Sequence, residues 1–243
     1  LWYDTPHRPT RDADLLGFGP DDKANLVATF REVAAMDLGD GIVFDPASVK
    51  ADAIREDNDY GGTRVTLLAR IGSARCALQI DVGFGDAVTP GPQTATLPTM
   101  LSDFPAPTLR VYPVYTVIAE KYQAMVMLGQ ANSRMKDFFD LAVIARRTHL
   151  EAATLATAIA ATFARRQTLL PAERPLGLTK QFSEDAAKLR QWQAFLNKNR
   201  ITAGSLGETV ALLDKLLWPP TKTAITNHST TATWDPDSVQ WHS

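Results

Sequence analysis

Two aspartates one residue apart, Asp12 and Asp14 in the segment HRPTRDADLLGFG, are the first side chains whose type and spacing suit chemistry. On a strand, residues i and i+2 point to the same face, so the pair sets two carboxylates side by side. Like charges that close repel unless a cation sits between them. Oxygen donors of this kind suit Mg²⁺, which prefers carboxylates, waters and substrate phosphates. A D-x-D pair alone also arises in ordinary acidic loops. Asp81 closes the apolar strand RCALQIDVGFGD, where Ala77, Gln79 and Asp81 share one face. It can simply cap the turn at Gly83. With Asp12 and Asp14 it supplies the third carboxylate that a two-metal phosphoryl-transfer site requires.

A third group lies further along. Glu120-Lys121 is followed by Arg134-Met135-Lys136-Asp137-Phe138-Phe139-Asp140-Leu141. At i and i+3, Asp137 and Asp140 neighbour each other on a helix face. Lys136 lies off that face, and Phe138 and Leu141 anchor the core side. An ammonium beside a triphosphate offsets its charge as a point charge. Ordinary interhelical ion pairs among Lys121, Asp137 and Asp140 are the alternative.

The elements that must position these residues follow from periodicity. Asp21–Met36 reads as an amphipathic helix with Leu26, Phe30, Val33 and Ala34 on one stripe. Thr63–Ile71 and Arg75–Val82 read as a hairpin about Gly72-Ser73-Ala74. The five prolines between 86 and 110 predict an extended connector. From Val114 the period becomes helical, over 114–128, 134–147, 150–163, 184–196 and 205–217. The expected organisation is α+β, with a core over 1–148, a helical domain over 149–220, and a loosely attached tail over 221–243 after Pro219-Pro220.

Composition narrows the class. The 243 residues are 45% hydrophobic and 21% charged, ordinary for a globular chain. No run of about 18 apolar residues exists, so no membrane partner is expected. Cys76, the single cysteine, fits a reducing cytosol and reads as a small buried apolar side chain. His7, His149, His228 and His242 lack zinc-ligand spacing. The net charge of −2 gives no global nucleic-acid footprint. Residues 146–200 nevertheless carry ten Lys/Arg against four acids, either solvated helix faces or a phosphate-contacting surface. No Ser–His–Asp order, G-x-x-x-x-G-K-[ST] or G-x-G-x-x-G is present.

Arg8, Thr10, Asp12, Asp14 and Leu15, read as R-x-T-x-D-x-D-L, resemble the latter part of the first motif of the AbiEii/AbiGii toxin nucleotidyltransferases, within the DNA-polymerase-β-like superfamily. Asp81 sits where that superfamily places its third acid. Glu120-Lys121 resembles the family's A-E-K motif, and Arg134–Leu141 its R-x-K-D-x-x-D-L motif, the most specific of the set. The resemblance spans roughly residues 5–217. It implies a polymerase-β-like core of mixed sheet and flanking helices followed by a C-terminal helical domain. It also implies Mg²⁺ or Mn²⁺ on Asp12, Asp14 and Asp81, the last as metal ligand or base. Lys121 would contact the phosphates of an NTP. Asp137, with Lys136 and Asp140, would complete the nucleotide side, and Arg8 and Thr10 belong to the same binding set. The implied activity is cytoplasmic nucleotide transfer to an acceptor such as a tRNA 3′ end, restrained by an antitoxin. The family's first motif opens on a Gly-Ser or Gly-Gly pair, which this sequence starts too late to show; the start at Leu1 predicts a fragment whose N-terminus lies upstream. The same residues are compatible with transfer to a protein acceptor, or with a non-catalytic module that binds RNA or protein.

Replacing one acid of the first motif tests the chemistry. Asp14→Asn should lower nucleotide transfer about 10²-fold or more, the scale of losing one electrostatic stabiliser. Its melting temperature should hold or rise slightly, because a repelling charge leaves. A large fall in melting temperature would instead mark the acid as structural.

Overall fold

The protein is described from a computed structural model, which covers residues 7–10, 12–54, 62–99, 101 and 103–243; the Asp12 side chain lies outside that description. The chain forms two compact units. One holds Pro9–Asp86; the other holds Ala87–Ser243 together with the described residues His7 and Arg8. Contacts therefore divide the chain at Asp86/Ala87, well before the expected seam near 148. The fold class is α+β, with a mixed sheet first and helices after it, as the sequence predicts.

In the first unit, β1 (Asp12–Gly17) and α1 (Lys23–Ala34) precede three long strands, β2 (Ile42–Ile54), β3 (Gly62–Ile71) and β4 (Ala74–Phe84). Their sheet order is β1-β4-β3-β2. β1 runs parallel to β4, and the β2–β3 and β3–β4 pairs are antiparallel. The long strand β2 carries a register shift against β3 between Asp45 and Lys50. Period-2 alternation sorts the sheet into two faces. Val65, Leu67 and Val82 are buried on one face, where Leu26, Val27 and Phe30 of α1 pack with Ala34. Val33, expected on that stripe, is 54% exposed. Asp22 starts α1 by accepting a hydrogen bond from the Ala24 amide at 2.9 Å. Cys76 is exposed, a correction to the buried reading. It has the parity of the core face but lies near the turn end of β4, where that face is no longer covered.

The second unit opens with a small antiparallel pair, β5 (Gln93–Thr96) and β6 (Thr108–Val111), inside the stretch expected to be an extended connector. Then come α2 (Val114–Leu128), α3 (Met135–Ala145), β7 (Leu150–Glu151), α4 (Ala152–Arg165), α5 (Lys180–Ser183), α6 (Ala186–Asn199), α7 (Leu206–Thr226), β8 (Thr233–Asp235) and β9 (Gln240–His242). Ile118, Tyr122 and Met125 on α2 face Phe138 and Leu141 on α3 in one apolar core with Phe163 and Phe182. Phe138 stacks on Phe182 at 5.1 Å between ring centroids. Ser205 and Glu208 form a capping box at the start of α7.

The segment over 221–243 is not loosely attached. β8 bridges β7 and β9, and Trp234 is fully buried, its indole donating to the Ala145 carbonyl at 2.6 Å. Pro219 and Pro220 do not end α7; they lie inside it. A proline lacks the N–H that would bond the carbonyl four residues back, so the carbonyls of Lys215 and Leu216 lose their helix donors. The Trp241 indole N–H faces both, at 3.0 and 3.3 Å. The tail supplies the donor that the two prolines remove. Trp241→Phe keeps an aromatic ring but removes that N–H. Urea unfolding should show a loss of about 1 kcal/mol; an unchanged midpoint would mean that water serves those carbonyls equally well.

Candidate active site

On the sheet face opposite the apolar core, register brings the acids of β1 and β4 together. Asp14 is the direct partner of Asp81, and Asp12 is the partner of Gln79. Across the hairpin Asp81 pairs with Arg64, and across the next pair Arg64 opposes Asp52. One cross-strand row therefore reads Asp14, Asp81, Arg64, Asp52. Neighbouring strands lie about 4.8 Å apart, so the carboxylates of this row are close enough to feel one another. The parallel β1–β4 pair makes this possible, since it aligns the acid of the D-x-D segment with the acid ending β4.

Asp81 is not solvated alone. Arg64 donates to both of its oxygens, Nε to Oδ1 and Nη2 to Oδ2, each at 2.8 Å. This bidentate fork is the strongest geometry available to the pair. Asp14 is exposed. Among the described residues no cluster of three His, Cys, Asp or Glu side chains stands in metal-binding range. Of the expected trio, the Asp12 side chain lies outside the described residues, while strand alternation gives positions 12 and 14 the same face. The donor chemistry fits a hard divalent cation: carboxylates on adjacent strands, with no soft or nitrogen ligand among them. Asp12, Asp14 and Asp81 are the residues that would hold it.

The second unit carries a cationic cluster built on two buried aspartates. Asp137 and Asp140 stand one turn apart at the start of α3, with side chains 2% and 7% exposed. Lys121 from α2 bonds both, at 2.7 and 3.0 Å. Arg8 forks onto Asp140 with bonds of 2.7 and 2.8 Å, and His7 Nε2 lies 3.1 Å from the same carboxylate. Arg134 pairs with Asp137 at 2.7 Å. Lys121, Arg8 and Arg134 bring three positive charges to two negative ones. The interhelical ion pairs that the sequence leaves as the alternative are present. Lys188, buried on α6, donates to the Asn132 carbonyl at 2.8 Å, and the Asn132 side chain accepts from the Arg134 amide. It thereby holds the loop that delivers Arg134.

Burial and charge set the ionisation of this cluster. Burial alone would raise the Asp140 carboxyl, but the Arg8 and His7 hydrogen bonds and the Lys121 charge hold it well below the usual carboxylate range. Burial would likewise favour a neutral Lys121, and the Asp137 and Asp140 charges outweigh it, so its ammonium is raised above the ordinary value. Lys121 is a fixed cation. Two of its three N–H donors are spent on the aspartates, and its side chain is 19% exposed, so one donor can meet an anion from solvent.

The structure thus brings Lys121, Asp137, Asp140 and Arg8 together in one unit, and Asp14 and Asp81 in the other. Lys136 is exposed on α3 and bonds neither aspartate; Thr10 is exposed ahead of β1. Glu120, beside Lys121, lies 3.5 Å from Arg166. Sequence reasoning gave no site role to Arg64 or His7, nor to Arg134, which opens the R-x-K-D-x-x-D-L motif and pairs with Asp137. The first was reachable: counting back equally from the Gly72-Ser73 turn arrives at Arg64 and Asp81 together.

A depressed carboxyl stabilises the fold above its unfolded pKa of about 3.9 and loses that contribution as pH falls through its lower folded value. Wild-type protein should therefore lose stability steeply between pH 5 and the acid range, to which Asp140 contributes. Asp140→Asn should be less stable at pH 7 and lose less on acidification, read by denaturant melts at about pH 7 and pH 3. Parallel pH profiles for the two proteins would contradict this.

Comparison with known proteins bears on what such clusters do. The family model described as the nucleotidyl transferase AbiEii toxin of type IV toxin–antitoxin systems matches residues 1–211. A search of curated proteins gave no match. Among solved structures, the chain is similar to JHP933 from Helicobacter pylori, with 15% identity over 90% of this chain and 79% of that one, and a TM-score of 0.48. It is also similar to a candidate nucleotidyltransferase from H. pylori, with 16% identity over 92% of this chain and 83% of that one, and a TM-score of 0.46. With the family model spanning all the motif residues of both clusters, the chain belongs to the AbiEii family of nucleotidyl transferase toxins.

Proposed function

We propose that this AbiEii-family transferase moves a nucleotide from an NTP to the 3′ hydroxyl of an RNA, with tRNA as the first acceptor to test. The observation that carries the reading is the register match of Asp14 with Asp81 on the polar face of a sheet whose other face is core. Acids there are not needed for packing, which supports a role in holding a divalent ion. Asp12, Asp14 and Asp81 would hold Mg²⁺ or Mn²⁺, which when bound neutralises triphosphate oxygens and orients the reacting phosphate.

The rest of the work belongs to the chain. Lys121 presents a permanently charged ammonium to phosphate oxygens, held in place by Asp137 and Asp140. Arg8 and Arg134 add positive charge beside it. In the transfer, the acceptor hydroxyl oxygen bonds to the α-phosphorus, the bond to the β-phosphate oxygen breaks, and pyrophosphate leaves. The hydroxyl proton passes to a carboxylate of the row, with Asp81 the candidate base. Such chemistry asks mostly for positioning and charge neutralisation, which these residues supply.

Exposed Arg146, Arg147, Arg165, Lys180, Arg190, Lys198 and Arg200 favour a polyanionic acceptor. Of the other basic residues in that stretch, Lys188 is buried, and Arg166 and Arg174 face Glu120 and Asp214. Family membership implies an antitoxin partner. Among the described residues no helix is long and apolar enough to cross a membrane. A cytoplasmic site of action goes with an acceptor and donor found there.

The test is incubation of the protein with each α-labelled NTP, Mg²⁺ and total tRNA, followed by mapping of the labelled end. Label at RNA 3′ ends is the expected result. Label on the toxin or its antitoxin would move the acceptor to protein, and no transfer from any NTP by folded protein would contradict the reading.

A further inference from the structure

We propose that Arg64 is a resident stand-in for the divalent cation: it neutralises Asp81 while the carboxylate row is metal-free and must release it for the ion to bind. The inference rests on the metal-binding reading of Asp12, Asp14 and Asp81 and concerns how that site is kept before loading.

Three observations carry it. The fork from Arg64 engages both oxygens of Asp81, each at 2.8 Å, so a cation cannot be chelated by both oxygens on that side without displacing the guanidinium. Arg64 comes from the central strand β3, and its side chain is 41% exposed, against 17% for Asp81. The guanidinium therefore has room to swing away while the carboxylate stays. Register also gives it somewhere to go. Asp52 on β2 is the direct cross-strand partner of Arg64 on the side away from Asp81, and it is exposed. Opposite charges directly across an antiparallel pair attract. The row Asp14, Asp81, Arg64, Asp52 thus offers the guanidinium a carboxylate on each side.

A cation bound at Asp81 would repel the guanidinium beside it, so metal and Arg64 compete for one carboxylate. Such an arrangement suits a toxin. Without metal and substrate, Asp81 is balanced by Arg64; with them, that balancing charge moves one strand over. Arg64 is then a positioning residue whose release accompanies loading.

The experiment is titration of the metal-free protein with Mn²⁺, followed by electron paramagnetic resonance, alongside thermal melts with and without Mn²⁺. Arg64→Met should bind Mn²⁺ about tenfold more tightly, the effect of removing one adjacent like charge. It should also melt lower than wild type without metal, and Mn²⁺ should close most of that gap. Arg64→Lys, which keeps the charge but not the fork, should lie between. Asp52→Asn takes away the alternative seat at an exposed position and should weaken Mn²⁺ binding severalfold, a readout independent of whether Arg64→Met folds. Equal or weaker binding by Arg64→Met, or a melting deficit that Mn²⁺ leaves untouched, overturns the inference and makes the pair a fixed brace for Asp81. Asp14→Asn separates the two levels. If it abolishes Mn²⁺ binding while Arg64→Met leaves binding unchanged, only the Arg64 role fails. If wild type binds no Mn²⁺ at all, the metal site fails with it.

Discussion

Like charges placed in register on adjacent strands must be balanced, and most of what is distinctive in this protein is a way of balancing them. Two carboxylates about 5 Å apart repel by roughly 1 kcal/mol in water and by about 3 kcal/mol at an effective dielectric near 20. That is too little to unfold a sheet whose other face is a packed core, yet enough to make a cation welcome. The parallel β1–β4 pair aligns Asp14 with Asp81, and the antiparallel hairpin brings Arg64 to the same row. The first alignment creates the anionic site; the second supplies its counter-charge.

The helical unit faces the same constraint under harsher conditions. Asp137 and Asp140 are nearly inaccessible, and an unpaired charge there would cost far more than one at the surface. Lys121, Arg8, His7 and Arg134 surround them. The aspartates hold the ammonium of Lys121 in one place and keep it charged, so the cation does not need a ligand to be ordered. A charge ordered before any ligand arrives is what the role proposed for Lys121 at the phosphates calls for. Support for the loop carrying Arg134 comes from a buried lysine on another helix, Lys188.

Much of this could be read in the residues. The period-2 strands about Gly72-Ser73, the helical period from Val114, and the i, i+3 spacing of Asp137 and Asp140 specify both the elements and the faces on which the acids stand. The two aspartates of α3 were legible as neighbours from their spacing, while their pairing with Lys121 on another helix was only one of the readings the sequence left. Other features depend on contacts distant in sequence. No local pattern says that the Trp241 indole will satisfy carbonyls released by Pro219 and Pro220, so the prolines read as a helix end. The 221–243 segment, polar and rich in Thr and Ser, hides the fully buried Trp234 that anchors it. Tertiary packing overrode local signals there. The β5–β6 pair was obscured by proline, which is tolerated in the flanks of short strands.

The proposed chemistry depends on a divalent ion bound at the carboxylate row of β1 and β4. The most direct measurement is an anomalous difference map from crystals grown with Mn²⁺ and a non-hydrolysable NTP. The account predicts a manganese peak about 2.1 Å from carboxylate oxygens of Asp14 and Asp12, a distance typical of such ions, with Asp81 completing the set. A map in which the row stays empty while the nucleotide and its metal bind elsewhere would contradict it.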